Sequence, residues 1–319
     1  MRRQCITRKV AVVPITFACA LFVHIAAAMG AKAEIDSGPA IWRVRSGEST
    51  VYLFGSIHIL PNRYPWITRR IADAMNASDL FVFEVPLGKD TTAQDRAFVL
   101  KYGVLPRRQS IRGLLTPSQF ELYATVMQAA GLNARDYERY RPWLAALVLG
   151  LAYLHPDDLT ALTGADNEVM NFAREHDRPS QYLETPVQQL ELLTSGSDDS
   201  QIAELRHLID TLPSTRDFAS ELLEAWSAGD IERLTVDLNG VFRISPETED
   251  LLVTRRNRLW LSMIDPLLQR PGTAMITVGA AHIGGSSGLI ALICGEGHRV
   301  ERLLDTGKDV DACPMASAP

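Results

Sequence analysis

The sequence has no run of like charge and no basic surplus: 32 Lys and Arg stand against 38 Asp and Glu, a net of −6. That excludes the electrostatic footprint of a nucleic-acid-binding protein. Cysteine is scarce, four in 319 residues with no Cys-x-x-Cys pair, which excludes a disulfide scaffold and argues against a zinc knuckle. There is no strict repeat and no sustained heptad, so neither a solenoid nor a coiled coil is expected. Walker A, Gly-x-Gly-x-x-Gly and His-Glu-x-x-His are all missing, and with them the signatures of the P-loop enzymes, dinucleotide binders and zincins; Gly284 to Gly288 reads as a Gly/Ser turn rather than a serine elbow. What is present, 46% hydrophobic residues, is ordinary for a globular chain long enough to bury a core.

Only one long apolar run occurs. Arg2, Arg3, Arg8 and Lys9 precede an apolar stretch from Val10 to Ala28, and Ala31-Lys32-Ala33 follows. A basic start, an apolar centre and an A-x-A site describe a secretory signal peptide cleaved after Ala33. The alternative is an uncleaved membrane anchor, since the run is near spanning length; a lipoprotein reading through Cys19 is poorer, because more apolar chain follows it. Cleavage removes five basic residues and no acidic ones, leaving a net of −11. It also leaves only Cys294 and Cys313, either a single bridge holding the C-terminal tail or two free thiols. A bacterial periplasm is the expected compartment, and the membrane enters only through an uncleaved leader.

Ala40 to Ser46 alternates, Ser46-Gly47-Glu48-Ser49 reads as a turn, and Val51 to Ile57 is rich in β-formers, together a hairpin. Apolar residues at Trp66, Ile67, Ile71, Ala74 and Met75 predict a helix over Pro65–Ser78, and Asp79 to Val85 reads as a buried strand that ends on an acid. From about Thr91 to Arg270 the chain reads as mainly helical, with Thr116-Pro117 and Thr185-Pro186 as N-cap signals and a short strand at Ser180–Glu184. Thr273–Val278 and His298–Leu304 return to strand. The reading is an α/β fold whose central mixed sheet is built from both ends of the chain, with a large helical insertion at about 91–270. One domain over 34–304 with a mobile tail from Asp305 is expected; two domains split near Pro106 and Gly272 are the alternative.

The chemistry gathers at strand ends. Gly55-x-x-His58 follows one apolar strand and Gly279-x-x-His282 another. Ligands of open α/β sheets bind beyond the carboxyl ends of strands, where a His can hold a metal or move protons near neutral pH. Glu84 and Glu184 terminate two further strands, and a buried acid needs a partner. Two His with one or two carboxylates make a workable metal site. Arg256 and Asn257, in the basic stretch of a long helix, are candidates to order the site. Asp166 reads as an N-cap. His155, His176, His207 and His298 read as surface or cap residues.

Taken in order, Trp42-Arg43-Val44, Tyr52-Leu53-Phe54-Gly55-Ser56-Ile57-His58-Ile59-Leu60-Pro61, Phe83-Glu84-Val85, Arg141-Pro142-Trp143, Leu183-Glu184-Thr185, Arg256-Asn257-Arg258-x-Trp260 and Gly279-Ala280-Ala281-His282 resemble the TraB/PrgY/GumN family. That family is related to the Tiki membrane proteases and to ChaN-like and erythromycin-esterase-like proteins. The resemblance implies the same α/β fold and a metal-dependent peptidase. His58, Glu84 and His282 would be its catalytic and metal-ligating residues (Zn, Mn, Co or Fe), with Gly55 and Gly279 beside the cofactor and Arg256, Asn257 and Glu184 in support. The substrate would be a peptide or small molecule. A non-catalytic protein that sequesters a peptide, a haem or another small ligand is the alternative. Arg255 departs from the acid that many members carry before the Arg-Asn pair, and Gly164-x-Asp166 matches a pattern some members share.

Overall fold

The computed structural model describes residues 38–58, 60–61, 63–86, 93–154, 164–212, 218–242 and 249–313. The expected leader, Ile59 and His155 lie outside them. The chain gathers into two compact units.

The first unit is helical and includes Ala93–Tyr102, Pro117–Ala129, Pro142–Leu154 and Asp198–Thr211. Thr116 caps its helix as expected: its hydroxyl accepts from the Gln119 amide while the Gln119 side chain accepts from the Thr116 amide, and Pro117 fills the first turn. Phe120, Tyr123, Met127, Leu144, Leu149, Leu205 and Ile209 are buried. Arg141, at the head of the Arg141-Pro142-Trp143 stretch, pairs with Asp198 at 2.7 Å.

The second unit holds a seven-stranded mixed sheet: β1 (Ile41–Ser46), β2 (Ser49–Ser56), β3 (Leu80–Phe83), β4 (Ser180–Tyr182), β5 (Gly272–Gly279), β6 (Val300–Arg302) and β7 (Val310–Asp311), in the order β4-β3-β5-β2-β1-β6-β7. Strands from both ends of the chain do share one sheet. β1 and β2 form the expected hairpin, with Gly47 supplying a positive φ in its turn. The period-2 alternation of side chains then sorts two cores. Ile41, Phe54, Phe81, Phe83 and Met275 face one layer, with Trp66 and Trp226. Trp42, Leu53, Val82, Ile276 and Val278 face the other, against Trp260 and Ile264 of the helix Arg255–Leu268. Much of the expected insertion belongs to this unit, including β4 and that helix.

The helix expected over Pro65–Ser78 begins only at Arg69, where the chain leaves the extended 64–68 segment. The expected mobile tail is instead anchored as far as Cys313. β7 pairs with β6, Asp305 pairs with Arg70 and Asp309 with Arg43, and Cys313 is bonded to Cys294 across 19 residues of sequence. A short loop closed in this way constrains the unfolded chain by about 3 kcal/mol. Cys294→Ser is therefore expected to lower Tm by several degrees, and wild-type protein heated under reducing conditions should show the same loss.

Candidate functional site

Strands β4, β3, β5 and β2 are mutually parallel neighbours and end on one edge. Ser56 pairs with Gly279, and Phe83 pairs with both Thr277 and Tyr182. The residues just beyond these rungs are His58, His282, Glu84 and Glu184. The Glu184 amide donates to the Glu84 carbonyl at 2.7 Å, extending the β3–β4 ladder by one step. Strand register alone thus brings together all four strand-end residues picked out in the sequence.

The two motif glycines do different work. A Cβ on Gly55 would stand 3.0 Å from Ile283 Cγ1 and 3.2 Å from Ala280 Cα, so Gly55 lets the turn after β5 pack closely. A Cβ on Gly279 would stand 3.2 Å from Glu84 Oε1, 3.5 Å from His58 Nε2 and 3.8 Å from His282 Cδ2. Gly279 therefore keeps the point where these three side chains converge open.

Arg256 and Asn257 reach this point from the helix Arg255–Leu268, which follows a π-helical turn at Asp250–Thr254. Such turns often mark functional positions. Arg256 Nε and Nη2 donate to the two Glu184 oxygens at 2.8 and 3.0 Å, and Nη2 also donates to Glu84 Oε2 at 2.8 Å. Nη1 donates to the Leu252 carbonyl and lies 3.0 Å from His282 Nε2. A guanidinium only donates, so His282 Nε2 accepts and its proton sits on Nδ1. That proton goes to Asn257 Oδ1 at 2.7 Å, while Asn257 Nδ2 donates to the carbonyls of His282 and Ser287. Trp260 Nε1 donates to Glu184 Oε1. Glu184 is a partner of Arg256, and the cap of the helix behind it is Thr185. Arg255, the departure from the family pattern, is largely exposed and meets Asp250, so its charge is answered outside the site.

Asp166 is the residue that sequence reasoning misplaces. Gly164 is the N-cap of the helix Ala165–Glu175 and Asp166 lies in its first turn. Its Oδ2 accepts from His58 Nδ1 at 2.7 Å and its Oδ1 from the Asn167 amide. The Gly164-x-Asp166 spacing is the available signal, and its cause is steric. A Cβ on Gly164 would collide with the Asp166 carboxylate and stand 2.5 Å from the His58 carbonyl oxygen. Gly164→Ala is expected to cost about 1–3 kcal/mol through that overlap and to loosen the His58–Asp166 pair. Chemical denaturation and His58 NMR shifts would measure the two effects. His176 ends its helix, bonded to Phe172, as expected.

The groups differ sharply in proton affinity. Burial pushes the Glu84 pKa up, but Arg256, then His282, His58 and the Gly279 amide (donating at 2.6 Å) pull it down to about 2. Burial and Arg256 lower His282 to about 3. Burial lowers His58 as well, yet Asp166 and Glu84 outweigh it and its pKa is raised above 6.5. The linkage signs follow. Glu84 stabilises the fold above its unfolded pKa, and that contribution is lost as pH falls toward 2. His282 must be neutral to fold, so below about pH 6.5 protons favour the unfolded chain. Each tenfold difference in proton affinity between folded and unfolded chain is worth about 1.4 kcal/mol. Tm should therefore fall steeply between pH 6 and 3, more in wild type than in a folded His282→Gln variant.

His58, Glu84 and His282 are the set expected to hold a divalent metal. Both imidazoles present Nε2 lone pairs, and Glu84 is ionised. In this arrangement the set nevertheless does not fit a metal, because Arg256 occupies the single lone pair of His282 Nε2 and one Glu84 oxygen and places a positive charge between them.

A family model described as TraB/PrgY/gumN family matches residues 40–302. The uncharacterized protein YbaP of Escherichia coli K12 is 23% identical over 254 residues, covering 79% of this chain and 90% of YbaP. YbaP of Shigella flexneri matches to the same extent. An uncharacterized protein of Treponema pallidum is 26% identical over 220 residues, covering 67% of this chain and 62% of its own. No solved structure matches the chain.

Proposed function

The chain belongs to the TraB/PrgY/gumN family, and from that premise we propose that it is a periplasmic hydrolase of peptides in which His58 activates water. The observation that carries this reading is the division of labour among the titratable groups. Glu84, with a pKa near 2, is too weak a base, and His282 has its Nε2 committed to Arg256. Of these groups, His58 alone combines a pKa raised above the ordinary imidazole value, a side chain 20% exposed and a carboxylate on Nδ1. Asp166 fixes the tautomer that leaves Nε2 as the acceptor. Water held against the bare Cα of Gly279 would give a proton to His58 Nε2 while its oxygen attacks the peptide carbonyl. The imidazolium so formed is stabilised by Asp166 and Glu84, and it then protonates the departing amine as the C–N bond breaks.

Periplasmic placement rests on the leader pattern and is supported by the Cys294–Cys313 bridge, which suits an oxidising compartment. N-terminal sequencing of the exported chain tests it. A metal-dependent version, with Zn, Mn, Co or Fe on His58, Glu84 and His282, requires Arg256 to withdraw from two acceptors. The test of the hydrolase reading is a broad peptide library incubated with the wild-type chain and with His58→Ala, read by mass spectrometry. Cleavage by wild type alone supports the reading. Absence of cleavage with tight stoichiometric capture of a peptide, or a haem absorbance, would replace it by a sequestering role.

A further inference from the structure

Arg256 has no task in the proposed proton transfers, yet it is the most heavily engaged side chain at the site. It is 2% exposed, and each of its five N–H groups meets an acceptor: Glu184 through Nε and Nη2, Glu84 through Nη2, and His282 and the Leu252 carbonyl through Nη1. Its guanidinium carbon also lies 4.6 Å from the centre of the Trp260 ring. A guanidinium with every donor committed cannot take a substrate carboxylate or an oxyanion without surrendering a bond it already makes.

Its acceptors are the ones a metal shared between the strand ends would need. Glu84 Oε1 lies 3.9 Å from His282 Nε2, close enough for one ion to bridge the residues, and Glu184 stands on the far side of the same guanidinium. An imidazole Nε2 has one lone pair, which serves either an N–H or a metal. Asn257 on His282 Nδ1 is the kind of outer partner that orients a metal-bound imidazole, but here it presents Nε2 to an arginine. We infer that Arg256 is the resident cation of this site. Its guanidinium takes the place of a divalent metal between Glu84, Glu184 and His282, so the native site works without metal and loss of the guanidinium uncovers a metal site.

The inference deepens the hydrolase reading, but its binding arm stands apart from activity. The experiment uses the full mature chain, dialysed against chelator, and then Co²⁺ followed by calorimetry and by its visible absorption. Wild type is expected to take up no stoichiometric Co²⁺, to show no Tm shift with Zn²⁺, and to cleave peptide equally with and without chelator. Arg256→Met should bind about one Co²⁺ per chain, with Tm raised by the metal, and His282→Ala added to that variant should abolish the uptake. Arg256→Lys keeps a positive charge and should exclude the metal as wild type does. Stoichiometric metal in wild type that His282→Ala removes overturns the inference, as does a folded Arg256→Met that binds no more metal than wild type. If Arg256→Met does not fold, uptake by wild type and by Arg256→Lys decides. Wild type that neither binds metal nor cleaves peptide sinks the hydrolase reading and leaves this one. Cleavage that requires added metal does the reverse.

Discussion

Arg256→Met, measured in chelator, is expected to lose about 3–5 kcal/mol of stability, on the order of 10 °C in Tm. The loss comes less from the missing bonds than from what stays behind. Glu84 and Glu184 are both nearly inaccessible, and without the guanidinium two carboxylates face each other with no counter-charge. Protonating one of them is the cheapest relief, so the Glu84 pKa should climb from about 2 and the variant should regain stability as pH is lowered, the opposite of wild type. A double variant adding Glu84→Gln should recover part of the loss, because the neutral amide costs less to leave buried. Equal sensitivity to acid in wild type and Arg256→Met would show that the ion cluster is not what governs stability here.

Asp166→Asn is expected to reduce the maximal rate of peptide hydrolysis by about 10²–10⁴-fold, with a shift in the pH profile that a merely structural change would not give. In wild type the rate should rise as His58 loses its proton, through a pH above 6.5. Burial works against that proton, and Asp166 does more than any other group to hold it in place. Without Asp166, burial dominates and the ascending limb moves to lower pH. The variant is therefore weaker at every pH but reaches its own plateau earlier. Asp166→Glu, which keeps the charge, should leave the limb near its wild-type position. An unshifted limb in Asp166→Asn would mean that His58 is not the base.

The sequence carries the site's membership better than its wiring. An apolar strand ending in Gly-x-x-His, or in an acid, is a local pattern, and parallel register then places those ends side by side without further instruction. This is why His58, His282, Glu84 and Glu184 are all legible. The sheet is legible for a related reason: Ala40–Ser46 alternates, Val51–Ile57 is rich in β-formers, and Thr273–Val278 is a short run of apolar and β-branched residues between Gly272 and Gly279. Asp166 reads as a cap because an acid in the first turn of a helix has a sufficient local explanation. Its partnership with His58 depends on where that helix docks against the 55–58 turn, which no nearby residue reports. Arg256 is legible as a candidate to order the site, but which groups it engages is hidden in the same way, since the facing side of its helix is set by the fold. The anchoring of the tail is only half legible: the Cys294–Cys313 bridge is one of the two readings that the cysteine count offers, but β7 is only two residues long and the ion pairs of Asp305 and Asp309 are made with distant arginines.

The central place of β5 bears on when the site comes into being. β2 and β3 are adjacent in sequence order, but β5 lies between them and arrives only with residues 272–279. During synthesis the first strands must wait, with their shared edge unfilled, until most of the chain has emerged. Such long-range parallel pairing is slow. A chain that ends before β5 has His58 and Asp166 but neither Gly279 nor His282. The meeting point of His58, Glu84 and His282 is thus completed only when the last-arriving parallel strand takes its place, and strand order sets that timing.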